Sequence, residues 1–118
     1  MKNYQELNVW KKGIEIVKET YQLSKYLPQG ERYGIISQMT RSSISIPANI
    51  AEGSSRNSDK DYARFLQIAL GSAFELQTYF VIVKEMKWTN EENICKIEML
   101  VEEEIKMIHG FIRKITNG

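Results

Sequence analysis

The sequence predicts an all-α protein, an up-down antiparallel four-helix bundle occupying residues 1–118. Three observations lead there. Apolar residues recur at alternating steps of three and four through four long stretches. No run alternates apolar and polar residues as a half-buried strand would. The links between stretches are only a few residues long, so successive helices must run back along one another.

The first helix carries Leu7, Trp10, Ile14, Val17, Tyr21 and Ser24 along one seam, with Asn3 and Glu6 spaced to cap its start. Leu27-Pro28-Gln29-Gly30 stops it, because the residue before proline is pushed out of the helical region. The second helix spans roughly residues 31–53, with Ile36, Met39, Ser43, Ile46 and Ile50 inward and Gly53 placed to end it. Its Pro47 cannot donate to the carbonyl of Ser43, and an interior proline costs about 3 kcal/mol. The apolar spacing continues through Pro47 with no glycine beside it. That favours one helix kinked at Pro47 over a break at which Ser45 caps a new segment. Ser58 with Asp61 opens the third helix, lined by Tyr62, Phe65, Ala69, Ser72, Leu76, Phe80 and Val83. Thr89 with Glu92 forms a capping box for the fourth, which carries Ile94, Ile97, Val101, Ile105, Ile108, Ile112 and Ile115, with Gly118 just past its end.

Composition narrows the function classes. The 118 residues suit one domain, and 42% apolar with 26% charged residues is ordinary for a globular fold. Sixteen Lys and Arg against fifteen Asp and Glu leave a net charge of +1, so any basic surface must be local. A lone Cys95 has no internal disulfide partner, which suits a reducing compartment. The start, MKNYQELNVW, lacks a run of signal-peptide length, and the longest apolar segment, 66–83, is interrupted by Gln67, Glu75 and Gln77. The expectation is a cytoplasmic protein with no membrane partner.

A polar stripe marks the second helix. Gln38, Arg41, Ser45, Asn49 and Glu52 share one face. Two readings stand: a half-buried network fixing the helix pairing, with Arg41 meeting Glu75, or a surface presenting Arg41 and Asn49 to a ligand or to phosphates. On the facing helix, Gly71 costs about 1 kcal/mol relative to alanine, which points to a close approach there. Further apolar residues lie off the seams: Ile68, Leu70, Phe74, Val81 and Ile82; Val9, Ile16 and Leu23; Leu100, Met107 and Phe111. One bundle core cannot bury them all, so self-assembly follows.

Catalytic patterns are missing. The sequence holds one histidine, His109, and one cysteine, and no zinc spacing. It has no paired Glu-x-x-His, no phosphate-cradling glycine loop and no G-x-S-x-G elbow. Glu102, Glu103 and Glu104 read as a solvated acidic face. Neither enzymatic activity nor a cofactor or metal is expected. A nucleic-acid site is the remaining candidate: Arg56, Lys60 and Arg64 gather at the turn into the third helix, near Arg41, with Glu52, Asp59 and Asp61 interspersed. Repetition around a ring would make such a patch multivalent and salt-sensitive.

The run SQMTRSSISIPANIAEGSSR, followed by Tyr62-Ala63-Arg64-Phe65-Leu66-Gln67-Ile68-Ala69-Leu70-Gly71-Ser72, resembles the four-helix-bundle proteins of bacterial 23S rRNA intervening sequences. The likeness extends to Leu7, Val9 and Trp10 and to Pro28, Glu31, Tyr33 and Gly34. It is similar, too, to the accessory variability determinant of diversity-generating retroelements, a basic pentamer that associates with a reverse transcriptase and its RNA. The resemblance implies a homopentameric ring without established enzymatic activity, and RNA or a reverse transcriptase as partner. The residues alone imply only an oligomer of some number. The sequence reading is therefore a non-enzymatic scaffold that associates with structured RNA or an RNA-handling protein. The alternative is a protein–protein interaction module with no nucleic-acid contact.

Overall fold

The computed structural model describes residues 3–117, and Gly118, expected just past the last helix, lies outside them. Four helices account for most of the chain: α1 (Asn8–Ser24), α2 (Ile35–Ser54), α3 (Asp59–Glu85) and α4 (Glu91–Asn117). Short 3-10 turns, Tyr4–Glu6 and Gln29–Glu31, precede α1 and α2, and no strand occurs among the described residues. Each helix touches two neighbours: α1 with α2, α2 with α3, α3 with α4, and α4 with α1. The diagonal pairs have no direct backbone contact. The molecule measures 44 × 23 × 20 Å. At 1.5 Å rise per residue, the 27 residues of α3 and of α4 span about 40 Å and set the long axis.

The core is built where the four seams meet. Met39, Ile46 and Ile50 of α2 interlock with Leu66, Leu76 and Phe80 of α3 and with Ile94 and Ile108 of α4. These side chains are excluded from water, and each such apolar burial stabilises the fold by about 1.5–3 kcal/mol. On α1 the seam differs from the expected one. Val9, Gly13, Ile16, Thr20 and Leu23 face inward, whereas Ile14 and Tyr21 are exposed. Both stripes of α1 are apolar, and the inner one is chosen because Gly13 and Thr20 are slim enough for close packing. The hydroxyl of Thr20 donates to the Ile16 carbonyl at 2.7 Å and so needs no outside partner.

The helix ends correct the sequence reading in three places. Asn3 caps the first 3-10 turn, accepting from the Gln5 amide at 3.0 Å, and α1 begins later with no side-chain cap. The fourth helix is capped by Asn90, whose Oδ1 accepts from the Asn93 amide at 3.1 Å, while Thr89 Oγ1 takes the Asn93 side-chain amide. Gly53 does not end α2; it lies inside the helix, buried against α3. The Ser58 cap of α3 stands where expected, accepting from the Asp61 amide at 3.1 Å.

The second helix passes through Pro47 without interruption. The ring of Pro47 is buried and lies against Gly13: a Cβ on that glycine would meet Pro47 Cβ at 3.2 Å and Cδ at 3.3 Å. The third helix contains a window of 18 residues with mean hydropathy 1.4, long and apolar enough to cross a membrane by length and composition. Its inner half, including Leu66, Ala69, Ala73, Leu76 and Val83, forms core contacts with the other helices.

Candidate functional site

The polar stripe on α2 separates into independent pieces. Ser45 Oγ accepts from Ser72 Oγ at 2.7 Å and from Asn49 Nδ2 at 2.9 Å, and Asn49 also donates to the Ser45 carbonyl at 2.8 Å. This small half-buried network joins α2 to α3. Glu52 does not belong to it; it takes the Arg56 guanidinium at 2.6 Å. Gln38 and Arg41 are exposed. The expected Arg41–Glu75 pair does not form; Glu75 instead accepts from the Tyr79 hydroxyl at 2.9 Å. Partial burial raises the Tyr79 hydroxyl above its ordinary value, and the bond to Glu75 adds to this.

Of Arg56, Lys60 and Arg64, the two arginines meet at the α2–α3 turn, over one ring. The Arg56 guanidinium lies 4.6 Å from the centre of the Phe65 ring, and that of Arg64 lies 5.5 Å from the same centre. Each arginine also has an acidic neighbour: Glu52 for Arg56, and Asp61 for Arg64 at 3.7 Å. Cation–π stacking and ion pairing hold both heads along the surface. Lys60 is exposed and edges an open groove of about 430 Å³ with Asp59, Ala63, Ile115 and Thr116. Arg41 is not part of this cluster. It sits thirteen residues before the end of α2, about 20 Å away along the axis.

The helical glycines Gly53 and Gly71 sit in different surroundings. At Gly53 a Cβ would lie 2.8 Å from Tyr62 Cδ1 and 2.9 Å from Phe65 Cβ, a true close approach. At Gly71 no atom lies within 4 Å, so the expected contact with α2 is absent. Gly71 instead stands on the outer face of α3, among exposed Ile68, Phe74, Val81 and Ile82.

Sequence reasoning missed Glu104, which it placed on a solvated face with Glu102 and Glu103. Glu104 is fully buried, and neither carboxylate oxygen has a hydrogen-bond partner. The signal was there: Ile97, Val101, Glu104 and Ile108 follow steps of four, three and four, the core seam itself. No group of three or more metal-ligating side chains occurs among the described residues. A groove of about 400 Å³ between α3 and α4 is lined by Gln77, Val81, exposed Cys95, Glu98 and Met99.

The arrangement is thus a surface suited to contact, with stacked arginines at one end and an apolar flank along α3. A family model described as "23S rRNA-intervening sequence protein" matches residues 5–110. The chain belongs to that family. This intervening-sequence protein is also similar in structure to a solved protein of unknown function from the S23 ribosomal protein family of Bacteroides thetaiotaomicron. The TM-score is 0.82 and the identity 26%, over 89% of this chain and 98% of that one. No curated protein matches it.

Proposed function

We propose that this intervening-sequence protein is a non-enzymatic, homo-oligomeric scaffold of the cytoplasm, a pentameric ring whose partner is structured RNA or an RNA-handling protein such as a reverse transcriptase. The observation that carries the self-assembly is the outer face of α3. Phe74 is 48% exposed, Val81 54% and Met86 55%, beside Ile68, Ile82 and Ile44 of α2. An apolar flank of this length is stabilised by a second copy covering it. The number five comes from the family resemblance. A bend of α2 at Pro47, where the Ser43 carbonyl loses its donor, belongs to the same reading.

For RNA, the support is the Arg56, Lys60 and Arg64 end, repeated once per subunit. The charge balance of Arg56 by Glu52 and of Arg64 by Asp61 favours the second reading, a protein-only interaction module without a membrane or nucleic-acid partner. Light scattering decides the assembly: a mass near 13.7 kDa at micromolar concentration rules the oligomer out. Filter binding to a structured RNA at two salt concentrations decides the partner. Binding that weakens steeply with salt supports RNA. Its absence at low salt leaves the protein-only module.

A further inference from the structure

The buried carboxyl of Glu104 lies where three helices converge. Its Oε2 is 3.3 Å from the point a Gly13 Cβ would occupy, and the Pro47 ring approaches that point within 3.3 Å. The absent methyl of Gly13 therefore makes room for both groups. Through this gap the side chain of α4 extends toward α2, a helix that its own backbone does not touch. Two polar groups in this region lack conventional partners. One is the carboxyl, neither of whose oxygens is engaged. The other is the Ser43 carbonyl, which in a regular helix would accept from the amide of residue 47 and which Pro47 deprives of that donor. The Ser43 hydroxyl is already committed to the Thr40 carbonyl at 2.8 Å.

A neutral carboxyl carries one donor hydrogen, which a carbonyl deprived of its helical amide can accept. We propose that a proton held on Glu104 is donated to the main-chain carbonyl of Ser43, replacing the amide that Pro47 lacks and tying α4 to α2 across the gap at Gly13. The electrostatic surroundings favour the neutral form. Burial pushes the Glu104 carboxyl up to about 8, opposed by the weaker attraction of Lys12. Lys12, on α1, is the one charge from the packed helices that acts on Glu104, and its Nζ is held by Glu103 at 2.8 Å, with Glu15 also drawing on it. The charged side chains of α2, Arg41 and Glu52, are exposed, and no charged side chain of α3 is buried.

The sign of the pH dependence follows. Glu104 has its ordinary value, 4.5, in the unfolded chain and about 8 in the folded one. Between those values the folded protein holds one proton more. Its stability contribution is complete below pH 4.5, declines as pH rises, and is gone above about 8. One extra proton corresponds to about a tenfold rise in the unfolding constant per pH unit inside that window.

The test is denaturant unfolding of the full chain from pH 5 to pH 9, with Glu104→Gln and Glu104→Met made in both the native and the Pro47→Ala backgrounds. Glu104→Gln keeps a donor and loses the titration, so this component of the pH slope should vanish and the midpoint at pH 8 should rise. Glu104→Met removes the donor and should lower the midpoint at pH 5–6 when Pro47 is present. In the Pro47→Ala background, where the restored main-chain amide serves Ser43, the same methionine should cost nothing. A methionine variant as stable as wild type at pH 5–6 in the native background overturns the proposal. So does an equal loss in both backgrounds, which would send the proton to another acceptor. Should Pro47→Ala not fold, infrared spectroscopy replaces the cycle. The protonated carboxyl band lost in Glu104→Gln must show the lowered frequency of a hydrogen-bonded acid, and an unbonded frequency overturns the assignment.

Discussion

Gly53 of α2 lies so near the Tyr62 ring of α3 that a methyl group on it would stand 2.8 Å from Cδ1. The contact ties the last turn of α2 to the first turns of α3 and sets the angle at which the two helices diverge. Alanine has the better intrinsic helix propensity by about 1 kcal/mol. Here the collision outweighs it, because Phe65 Cβ at 2.9 Å closes the other side. Gly53→Ala should lower stability by about 1–3 kcal/mol, the usual cost of overpacking. Thermal denaturation measures it, and an unchanged midpoint would mean that the Tyr62 ring swings away freely.

Farther along the same helix pair, Ser72 donates to Ser45 at 2.7 Å. Ser72→Ala leaves Ser45 with its Asn49 donor and should cost about 0.5–1.5 kcal/mol, the net worth of one such bond. Ser45→Ala removes the acceptor of both donors and should cost more, although Asn49 retains the Ser45 carbonyl. Urea unfolding of the two single variants and the double variant isolates the pair. Additive losses would show that the hydroxyls do not stabilise each other.

These contacts also show which parts of the structure were readable beforehand. The four helices were legible because a 3.6-residue period over seventeen or more residues has few alternative explanations, and the Ser58 cap carries a local chemical signature. The inner stripe of α1 was not, since both of its stripes are apolar. What decides between them is the slimness of Gly13 and Thr20, a property of the space opposite, where Pro47 sits. Glu104 was hidden by its neighbours: Glu102 and Glu103 make it look like part of a charged face, although its register matches Val101 and Ile108. The Arg41–Glu75 pairing failed for another reason. Shared faces can be counted from a sequence, but which side chain reaches Glu75, here Tyr79 one turn along α3, is settled by rotamer and reach.

At Gly71 the expectation runs opposite to that at Gly53. Nothing surrounds its missing side chain, and the residue is exposed in the middle of α3. Gly71→Ala should therefore raise the stability of the separate chain by about 1 kcal/mol through backbone entropy and helix propensity. If copies pack over the outer face of α3, Gly71→Leu should weaken that association while leaving the melting of the dissociated chain unharmed. Light scattering across a dilution series together with melting curves separates the two effects. A loss of stability in dilute Gly71→Ala would contradict the open surroundings.

The α3–α4 turn contains a residue in a conformation that its side chain opposes. Lys87 has φ 58°, and it is the one non-glycine residue with positive φ among those described. The backbone requires it: the Trp88 amide reaches back to the Val83 carbonyl at 3.2 Å and the Lys87 amide to Lys84 at 3.1 Å, closing the end of α3. Glycine is the residue normally found at this position, since the left-handed region costs a residue with a Cβ about 1–2 kcal/mol. The Lys87 side chain makes no ion pair or hydrogen bond among the described residues, so its removal sacrifices no such contact. Lys87→Gly should accordingly raise stability by about 1 kcal/mol. Lys87→Ala, which keeps the Cβ, should leave it nearly unchanged. Equal stabilisation by both variants would place the benefit in lost side-chain charge, and the strain at this turn would not be the cause.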